Sequence, residues 1–276
     1  MSLHQKLAFS RPTDSSGMPG IVGSGLAPDP TIPGIPEHDI EQRILFTTFR
    51  AAGYEGLQLK YGQYSAYLDQ PARFREQWGT ETSAIASGLI MGGLLDEAGI
   101  EELRRVFRFA QIVGSERIVF CHAQSRQGLT SEDIKGFARQ LSELGKEAQH
   151  EYGVILSLHH HYNQPVMYRQ DFAIFFDAID EGTVRLTIDT AHLVKSGIND
   201  ISGVIKENRH VLDNMHMKDF ANGDFKVLGQ GNIDFAPVFG VLHEINYEGW
   251  LCADEESGGD LLSGMEMCAQ FMSNAS

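Results

Sequence analysis

The chain has 276 residues, of which 42% are hydrophobic and 21% charged, and its formal net charge at pH 7 is -15. This negative charge argues against nucleic acid as a partner, because affinity for a phosphate backbone comes largely from Lys and Arg side chains. No apolar stretch approaches the ~20 residues of a membrane-spanning helix, and the first residues lack the apolar region of a secretory signal, so we expect a cytoplasmic protein without a membrane partner.

Short apolar segments alternate with amphipathic stretches along the chain, after a Gly-, Pro- and Ser-rich stretch at 10–36 that we interpret as a long loop. The predicted strands are residues 6–9, 56–61, 82–88, 117–122, 154–161, 184–190, 212–218 and 250–256. Helices predicted from a 3.6-residue apolar period include 40–52, 100–113 and 131–152. Strands that alternate with helices are typical of parallel βα units. Eight of them favour closure, so we predict one α/β domain over residues 1–276 with the (β/α)8 TIM-barrel fold.

The predicted helix at 131–152 has clear end signals. Thr130 or Ser131 is placed to cap its N-terminus, and Asp133 lies in its first turn. Gly153 follows its last residue, where a glycine commonly ends a helix. These signals predict both boundaries of this helix.

Side chains that can bind metals recur near the ends of the last four predicted strands. In the first of these strands, Leu156 and Leu158 alternate with Ser157, His159 and His161. Because successive side chains of a strand point to opposite faces, packing of the apolar set under the helices turns the polar set toward the barrel axis. Active sites of such barrels lie at the C-terminal mouth. The residues that this alternation directs there are His159, Asp189, His216 and Asp254.

Two imidazoles and two carboxylates at one place suit one divalent metal ion, with Mn, Mg, Co and Zn all compatible with this set of donors. A β-bulge at the end of the last strand would change which acidic residue reaches the metal. Glu255 and Glu256 are therefore alternatives to Asp254.

Five segments of the C-terminal half resemble the sugar phosphate isomerase/epimerase group of xylose-isomerase-like barrels, and most closely the inosose dehydratases. These segments are LSLHHHYNQP (156–165), TIDTAHLVKSGIND (187–200), NMHMKD (214–219), LGQGNIDFAPVF (228–239) and YEGWLCADEESGG (247–259). The resemblance implies metal ligation by the same four residues. It also implies that His161, His192 and Lys218 contact the substrate or transfer protons.

The resemblance also implies a reaction class. Many epimerases and isomerases of this group carry Glu at the positions of His159 and Asp254, whereas a triple histidine such as 159–161 is typical of inosose dehydratases. We therefore expect a lyase that dehydrates an inosose-like keto-polyol through an enediolate. The alternative is a sugar or sugar phosphate isomerase or epimerase, which shares the enediolate and returns the proton.

Two other classes fit less well. Endonuclease IV repair enzymes share the DTAH and GQGNI segments, but they need an Asp-x-His motif where this chain has Gly223-Asp224-Phe225. A barrel that binds without catalysis would not require the intact set of ligands. The expected partner is a small sugar or an inositol-derived molecule, and a homo-oligomer is compatible with this group of barrels.

Several residues at other strand ends are candidates for substrate binding. They are Gln58 and Lys60 near the end of the second strand, His122 at the end of the fourth, and Glu256 at the end of the last. A buried structural role is the alternative for His122. For Lys218 the alternative is a salt bridge to Asp219 or Glu255.

Overall fold

The computed structural model describes residues 6–13, 37–78 and 87–275, and within them eight parallel strands close into a barrel. The barrel strands are β1 (Lys6–Ser10), β2 (Gly56–Leu59), β3 (Gly88–Gly93), β4 (Arg117–His122), β5 (Ile155–His159), β6 (Arg185–Asp189), β7 (Leu212–Met217) and β10 (Trp250–Asp254). Around the barrel they follow the order β1, β10, β7, β6, β5, β4, β3, β2. The strands β8 (Asp219–Ala221) and β9 (Asp224–Lys226) form a separate antiparallel hairpin. The predicted TIM-barrel fold is confirmed.

Helices surround this barrel. They are α1 (Glu37–Thr48), α2 (Pro71–Trp78), α3 (Glu97–Val113), α4 (Ser131–Tyr152), α5 (Arg169–Phe176), α6 (Thr190–Lys195), α7 (Ile201–Glu207), α8 (Ala236–Glu244) and α9 (Leu261–Ala275). The boundaries predicted for α4 are confirmed, since Thr130 and Asp133 form a capping box and Gly153 ends the helix at a φ of 67°. Helix α1 ends four residues before the predicted position, at Thr48. Among the described helices, none is long and apolar enough to cross a membrane.

The third barrel strand differs from the prediction. It runs over Gly88–Gly93, so the prediction that this strand ends at residue 88 is wrong. Residues 82–86 of the predicted strand lie outside the described residues. Its register with β4 runs from Leu89 opposite Ile118 to Gly93 opposite His122. Glycines flank the short apolar run in this segment, so the sequence offers too few side chains to display an alternation. The predicted loop at 10–36 lies outside the described residues from position 14 onward.

Alternation along the strands separates two packed layers, as the sequence pattern predicts. One set of apolar strand residues belongs to the main core between the barrel and its helices, including Leu158, Ile188 and Met215. Trp250 and Cys252, of the opposite parity, pack with Ala8 in a small separate cluster. The polar residues share this second parity, so they face the interior of the barrel.

Candidate active site and metal centre

Three potential metal ligands converge at the C-terminal end of the barrel. His159 and Asp189 are the last residues of β5 and β6, and His216 is the penultimate residue of β7. Asp189 Oδ2 lies 3.6 Å from His159 Nε2 and 3.9 Å from His216 Nδ1. The three ligand atoms all lie within 4.8 Å of one another, and all three side chains are buried. We call these residues the ligand trio.

Each residue of the trio directs one polar atom to a protein partner and the other to the common centre. The protein contacts are His159 Nδ1 with Cys121 Sγ (3.0 Å), Asp189 Oδ1 with the His192 N–H (2.9 Å) and His216 Nε2 with Gln58 Oε1 (2.9 Å). Within the described part of the chain, the atoms that face the centre have no hydrogen-bond partner. Since buried polar atoms normally have partners, the trio fits a bound divalent cation of the kind that imidazole and carboxylate donors accept.

Asp254, the fourth predicted ligand, ends β10 beside the trio. Its Oδ2 lies 3.5 Å from His216 Nδ1, but its two oxygens also pair with Lys218 Nζ at 2.7 Å and Lys60 Nζ at 2.6 Å. Glu256 pairs with the same two lysines, at 2.6 and 2.8 Å. Lys60, Lys218, Asp254 and Glu256 therefore form a ring of alternating charges, which we call the mouth cluster. Metal ligation by Asp254 stays a prediction.

Opposite charges keep the mouth cluster ionised. Burial alone would lower the pKa of Lys218, but the carboxylates of Asp189 and Asp254 outweigh burial and hold this pKa well above its usual range. Burial likewise works against ionisation of Asp254, yet Lys218 and Lys60 lower the pKa of this carboxyl group. The cluster thus places two cations and two anions at fixed positions beside the trio.

The salt bridge considered between Lys218 and Asp219 or Glu255 is absent among the described contacts, so that interpretation is wrong. Glu255 Oε2 instead pairs with Arg11 Nη1 at 2.6 Å. Alternation at the end of the strand explains the difference. Asp254 and Glu256 face Lys218, so Glu255, which lies between them in the chain, points to the opposite side. Asp219 turns toward a loop and accepts hydrogen bonds from backbone N–H groups, including that of Gly231 at 2.9 Å.

Two further histidines lie beside the trio. The ring centroids of His161 and His192 are 3.6 Å apart, and they lie 5.8 and 5.7 Å from the ring of His159. His161 Nδ1 is 2.8 Å from the carbonyl oxygen of Tyr162. Because a carbonyl only accepts, Nδ1 carries the hydrogen and Nε2 keeps its lone pair. Burial lowers the pKa of His161 to about 4 and that of His192 well below its usual range, so both rings are neutral near pH 7.

Gln58 and His122, which were predicted to bind substrate, have protein partners. Gln58 is 1% exposed and contacts His216 from the interior of the barrel. His122 packs with its ring centroid 4.5 Å from that of Phe137, and its Nδ1 accepts the N–H of Gln124 at 3.0 Å. Burial lowers the pKa of His122 to about 4. These contacts favour structural roles, and substrate binding by either residue stays a prediction.

Phe225 lies over the site, although the sequence reasoning did not select it. It belongs to β9, and its ring centroid lies 5.0 Å from that of His192 and 4.6 Å from Lys218 Nζ. The hairpin that carries Phe225 turns at Asn222 and Gly223, which both adopt positive φ values. An Asn-Gly pair is a strong hairpin signal. That dipeptide is therefore the feature of the sequence that could have identified the hairpin and its aromatic residue.

Comparison with known proteins places this barrel in a family. Residues 46–270 match the model of the xylose isomerase-like TIM barrel family, and the chain belongs to that family. It is 32% identical over 154 residues to the inosose dehydratase of Clostridium botulinum, an alignment that covers 49% of this chain and 51% of that protein. The chain thus spans about half the length of this relative.

A longer alignment and a solved structure extend this similarity. The chain is 28% identical over 264 residues to the inosose dehydratase of Bacillus thuringiensis, with 83% of this chain and 86% of that protein covered. The crystal structure of the IOLI protein with a bound zinc atom superposes with a TM-score of 0.69 at 18% identity, and it covers 98% of each chain. This structural likeness shows that the fold is shared.

Proposed function

We propose that this protein is a divalent-metal-dependent dehydratase that acts on an inosose-like keto-polyol. The observation that carries the proposal is the convergence of three buried ligand atoms, from His159, Asp189 and His216, that have no hydrogen-bond partner in the described chain. The neutral rings of His161 and His192 lie directly beside them. Similarity to two inosose dehydratases supports the substrate class.

The ligand trio would hold the cation through His159 Nε2, Asp189 Oδ2 and His216 Nδ1, with Asp254 as a fourth candidate. When bound, a divalent cation supplies Lewis acidity that polarises a carbonyl group. Two of the three trio residues would bind the cation as neutral imidazoles, so these ligands would neutralise less of the positive charge than a set rich in carboxylates. This property favours removal of a proton from the carbon next to a carbonyl.

The neighbouring side chains are suited to the proton transfers of a dehydration. His161 Nε2 has a lone pair and takes the proton from the α-carbon, and the C–H electron pair is delocalised onto the carbonyl oxygen to give the enediolate. The pair then forms the double bond to the β-carbon as the C–O bond there breaks, and the hydroxyl group leaves as water with the proton that His161 returns directly or through His192. The cation of Lys218 stabilises the substrate oxygen that becomes negative.

The rest of the mouth is suited to hold a polyhydroxylated substrate. Lys60 and Glu256 present a donor and an acceptor for hydroxyl groups, because the Lys60 ammonium has three hydrogens and Glu256 is the most exposed member of the mouth cluster at 24%. Phe225 provides an apolar face that covers C–H groups and limits access of water.

The proposal is tested by measuring the metal content of the purified protein and then supplying inososes and ketoses. We expect one metal per chain and a product with the ultraviolet absorption of an enone or dione. His159→Ala and Asp189→Ala should abolish both the bound metal and the product. His150→Ala, on the exposed side of α4, is the matched control and should leave both unchanged.

Other outcomes separate the alternatives. Bound metal with a product that retains the β-hydroxyl group would contradict dehydration and favour an isomerase or epimerase. A protein that retains no metal would contradict the metal-dependent reaction altogether. A cytoplasmic location and a homo-oligomeric state stay predictions from the sequence.

A further inference from the structure

A continuous hydrogen-bond network crosses the interior of the barrel from its N-terminal end to the ligand trio. Its seven members come from five strands, and most of them are buried. In order they are Arg117, Asp213, Ser157, Thr187, Asn214, Gln58 and His216. The last two links span the barrel, because β2 and β7 are separated by β1 and β10 in the strand order. The network therefore connects residues that only the closed barrel brings together.

In the first half of this network, from Arg117 to Thr187, the donor and the acceptor of each hydrogen bond are determined. Arg117 Nε donates to Asp213 Oδ2 at 2.9 Å, and Ser157 Oγ donates to Asp213 Oδ1 at 2.8 Å. A carboxylate only accepts, so Ser157 spends its one hydroxyl hydrogen on Asp213. The contact of 2.8 Å between Ser157 Oγ and Thr187 Oγ1 must then use the hydrogen of Thr187. Thr187 Oγ1 can therefore only accept a hydrogen bond from the next member of the network, Asn214.

In the second half, from Asn214 to His216, each hydrogen bond determines the donor and acceptor of the next, as far as the ring of His216. Asn214 Nδ2 donates to Thr187 Oγ1 at 3.2 Å, which turns Asn214 Oδ1 toward Gln58. Gln58 Nε2 donates to Asn214 Oδ1 at 2.7 Å, so Gln58 Oε1 faces His216 Nε2 at 2.9 Å. An amide oxygen only accepts, and His216 Nε2 must therefore carry the ring hydrogen. His216 Nδ1 keeps the lone pair that points to the centre of the trio.

We propose that Gln58 is a positioning residue, and that the network anchored by Asp213 fixes the tautomer and ring orientation in which His216 offers Nδ1 to a metal. The inference rests on the proposed metal centre. It assigns to Gln58 a role on the interior side of the trio, in place of the substrate contact expected from the sequence. Partners of metal-bound histidines commonly fix the tautomer in this way, and their loss costs about 10–100-fold in metal affinity.

The network predicts that Thr187, whose hydroxyl group bonds to Ser157 and Asn214 and not to the trio, controls the tautomer of His216. Thr187→Val removes the hydroxyl group at almost constant volume, which frees the amides of Asn214 and Gln58 to reverse. Thr187→Ser keeps the hydroxyl group and is the matched conservative variant. Gln58→Leu removes the acceptor of His216 directly. Gln42→Leu, a buried glutamine whose Nε2 donates to a backbone carbonyl elsewhere, controls for general loss of a buried amide.

Two readouts separate this inference from the proposed function. Ring ¹⁵N shifts of His216, assigned as the signals absent from His216→Gln, report the tautomer in metal-free protein and need no catalysis. Zinc affinity is measured by competition with a chromophoric chelator. We expect the wild type, Thr187→Ser and Gln42→Leu to show His216 protonated at Nε2 alone. Thr187→Val and Gln58→Leu should show a mixture of tautomers and a zinc affinity about 10–100-fold lower.

Two results would overturn the inference. A wild-type His216 protonated at Nδ1 would overturn the inference, and so would a Thr187→Val variant with the wild-type tautomer and zinc affinity. Near-ultraviolet circular dichroism verifies that the variants are folded, and the wild-type tautomer tests the inference without any variant. If the wild type binds no zinc, the proposed function fails, whereas the Nε2 tautomer would still support the network.

Discussion

The ammonium group of Lys218 lies 2.7 Å from Asp254 Oδ2, and both side chains are almost completely buried. The same nitrogen is 3.4 Å from Asp189 Oδ2 and 2.6 Å from Glu256 Oε2. Lys218 therefore links the ligand trio to the mouth cluster. Its charge offsets repulsion among carboxylates that would otherwise share a space with little water.

Removal of the Lys218 charge should destabilise the metal-free protein. Lys218→Met leaves buried carboxylates with one fewer cation, and breaking a buried ion pair typically costs about 3–5 kcal/mol. Urea unfolding of the metal-free protein measures this change in the free energy of unfolding. The double variant Lys218→Met/Asp254→Asn should lose less stability than Lys218→Met alone, because it also removes one of the unpaired charges. Equal or greater loss in the double variant would contradict the pairing.

Asp254 should contribute less to metal affinity than Asp189. Asp254 pairs closely with Lys60 and Lys218, at 2.6 and 2.7 Å, whereas Lys218 is 3.4 Å from Asp189 Oδ2 and this oxygen has no hydrogen-bond partner in the described chain. We expect Asp254→Asn to lower metal affinity by up to about 100-fold, as changes beside a metal do. Asp189→Asn should lower it further, and chelator competition measures both. A larger loss for Asp254→Asn would identify Asp254 as a full ligand.

Phe225 should affect substrate binding more than turnover. Its ring packs against His192 and Lys218 over the mouth, and it holds no atom that can transfer a proton. Loss of one buried aromatic face is worth roughly 1–2 kcal/mol, so Phe225→Ala should raise KM about 5- to 30-fold. Phe225→Leu keeps an apolar side chain over the site, so its KM should lie between those of the wild type and Phe225→Ala. Steady-state kinetics with the proposed substrate class would show unchanged KM values if the ring does not cover the site.

His122 should make the protein sensitive to acid. Burial lowers its pKa from 6.5 to about 4 in the folded state, whereas in the unfolded chain it titrates near 6.5. The unfolded state therefore binds a proton first as the pH falls, so stability is lost between pH 6.5 and 4 and levels off below. The loss is up to about 3 kcal/mol.

The measurement is the free energy of unfolding of the wild type and of His122→Gln at several pH values. The difference between the two proteins cancels the titration of every other group. On acidification from pH 6.5 to 4, the wild type should lose more of its free energy of unfolding than His122→Gln does. A difference that does not change with pH would show that His122 is not held neutral by burial.

Gly231 should be intolerant of a side chain, in contrast to Gly240. A Cβ atom at Gly231 would lie 2.2 Å from Asp219 Oδ1 and 2.8 Å from the backbone nitrogen of Phe220. Overpacking of this kind costs about 1–3 kcal/mol, so Gly231→Ala should lower the free energy of unfolding. A Cβ at Gly240, within α8, meets no described atom within 4 Å. Gly240→Ala should therefore stabilise the protein, by up to about 1 kcal/mol.

These two variants are compared by urea unfolding. The prediction depends on the tight turn that Asp219 holds through backbone N–H groups of the 228–239 segment. If Gly231→Ala were as stable as the wild type, the loop would have to open without cost and Asp219 would not anchor it.

Much of the site could be predicted from local sequence. The period of two along β5, β6 and β7 placed His159, Asp189 and His216 on one face, and the chain order of a barrel brings their C-terminal ends together. Their convergence to within 4.8 Å follows that prediction. Helix α4 was equally predictable, because Thr130 and Gly153 terminate it through local contacts.

The tertiary structure alone decided which partners these side chains take. Lys218 meets Asp254 and Glu256 instead of its sequence neighbour, Gln58 reaches His216 across 158 positions of the chain, and Phe225 lies over His192 because a hairpin turns back. The sequence determined which residue types face the interior, since the direction of a side chain depends on its own strand. Contacts between distant strands depend on the register and closure of the whole barrel, which no local pattern records.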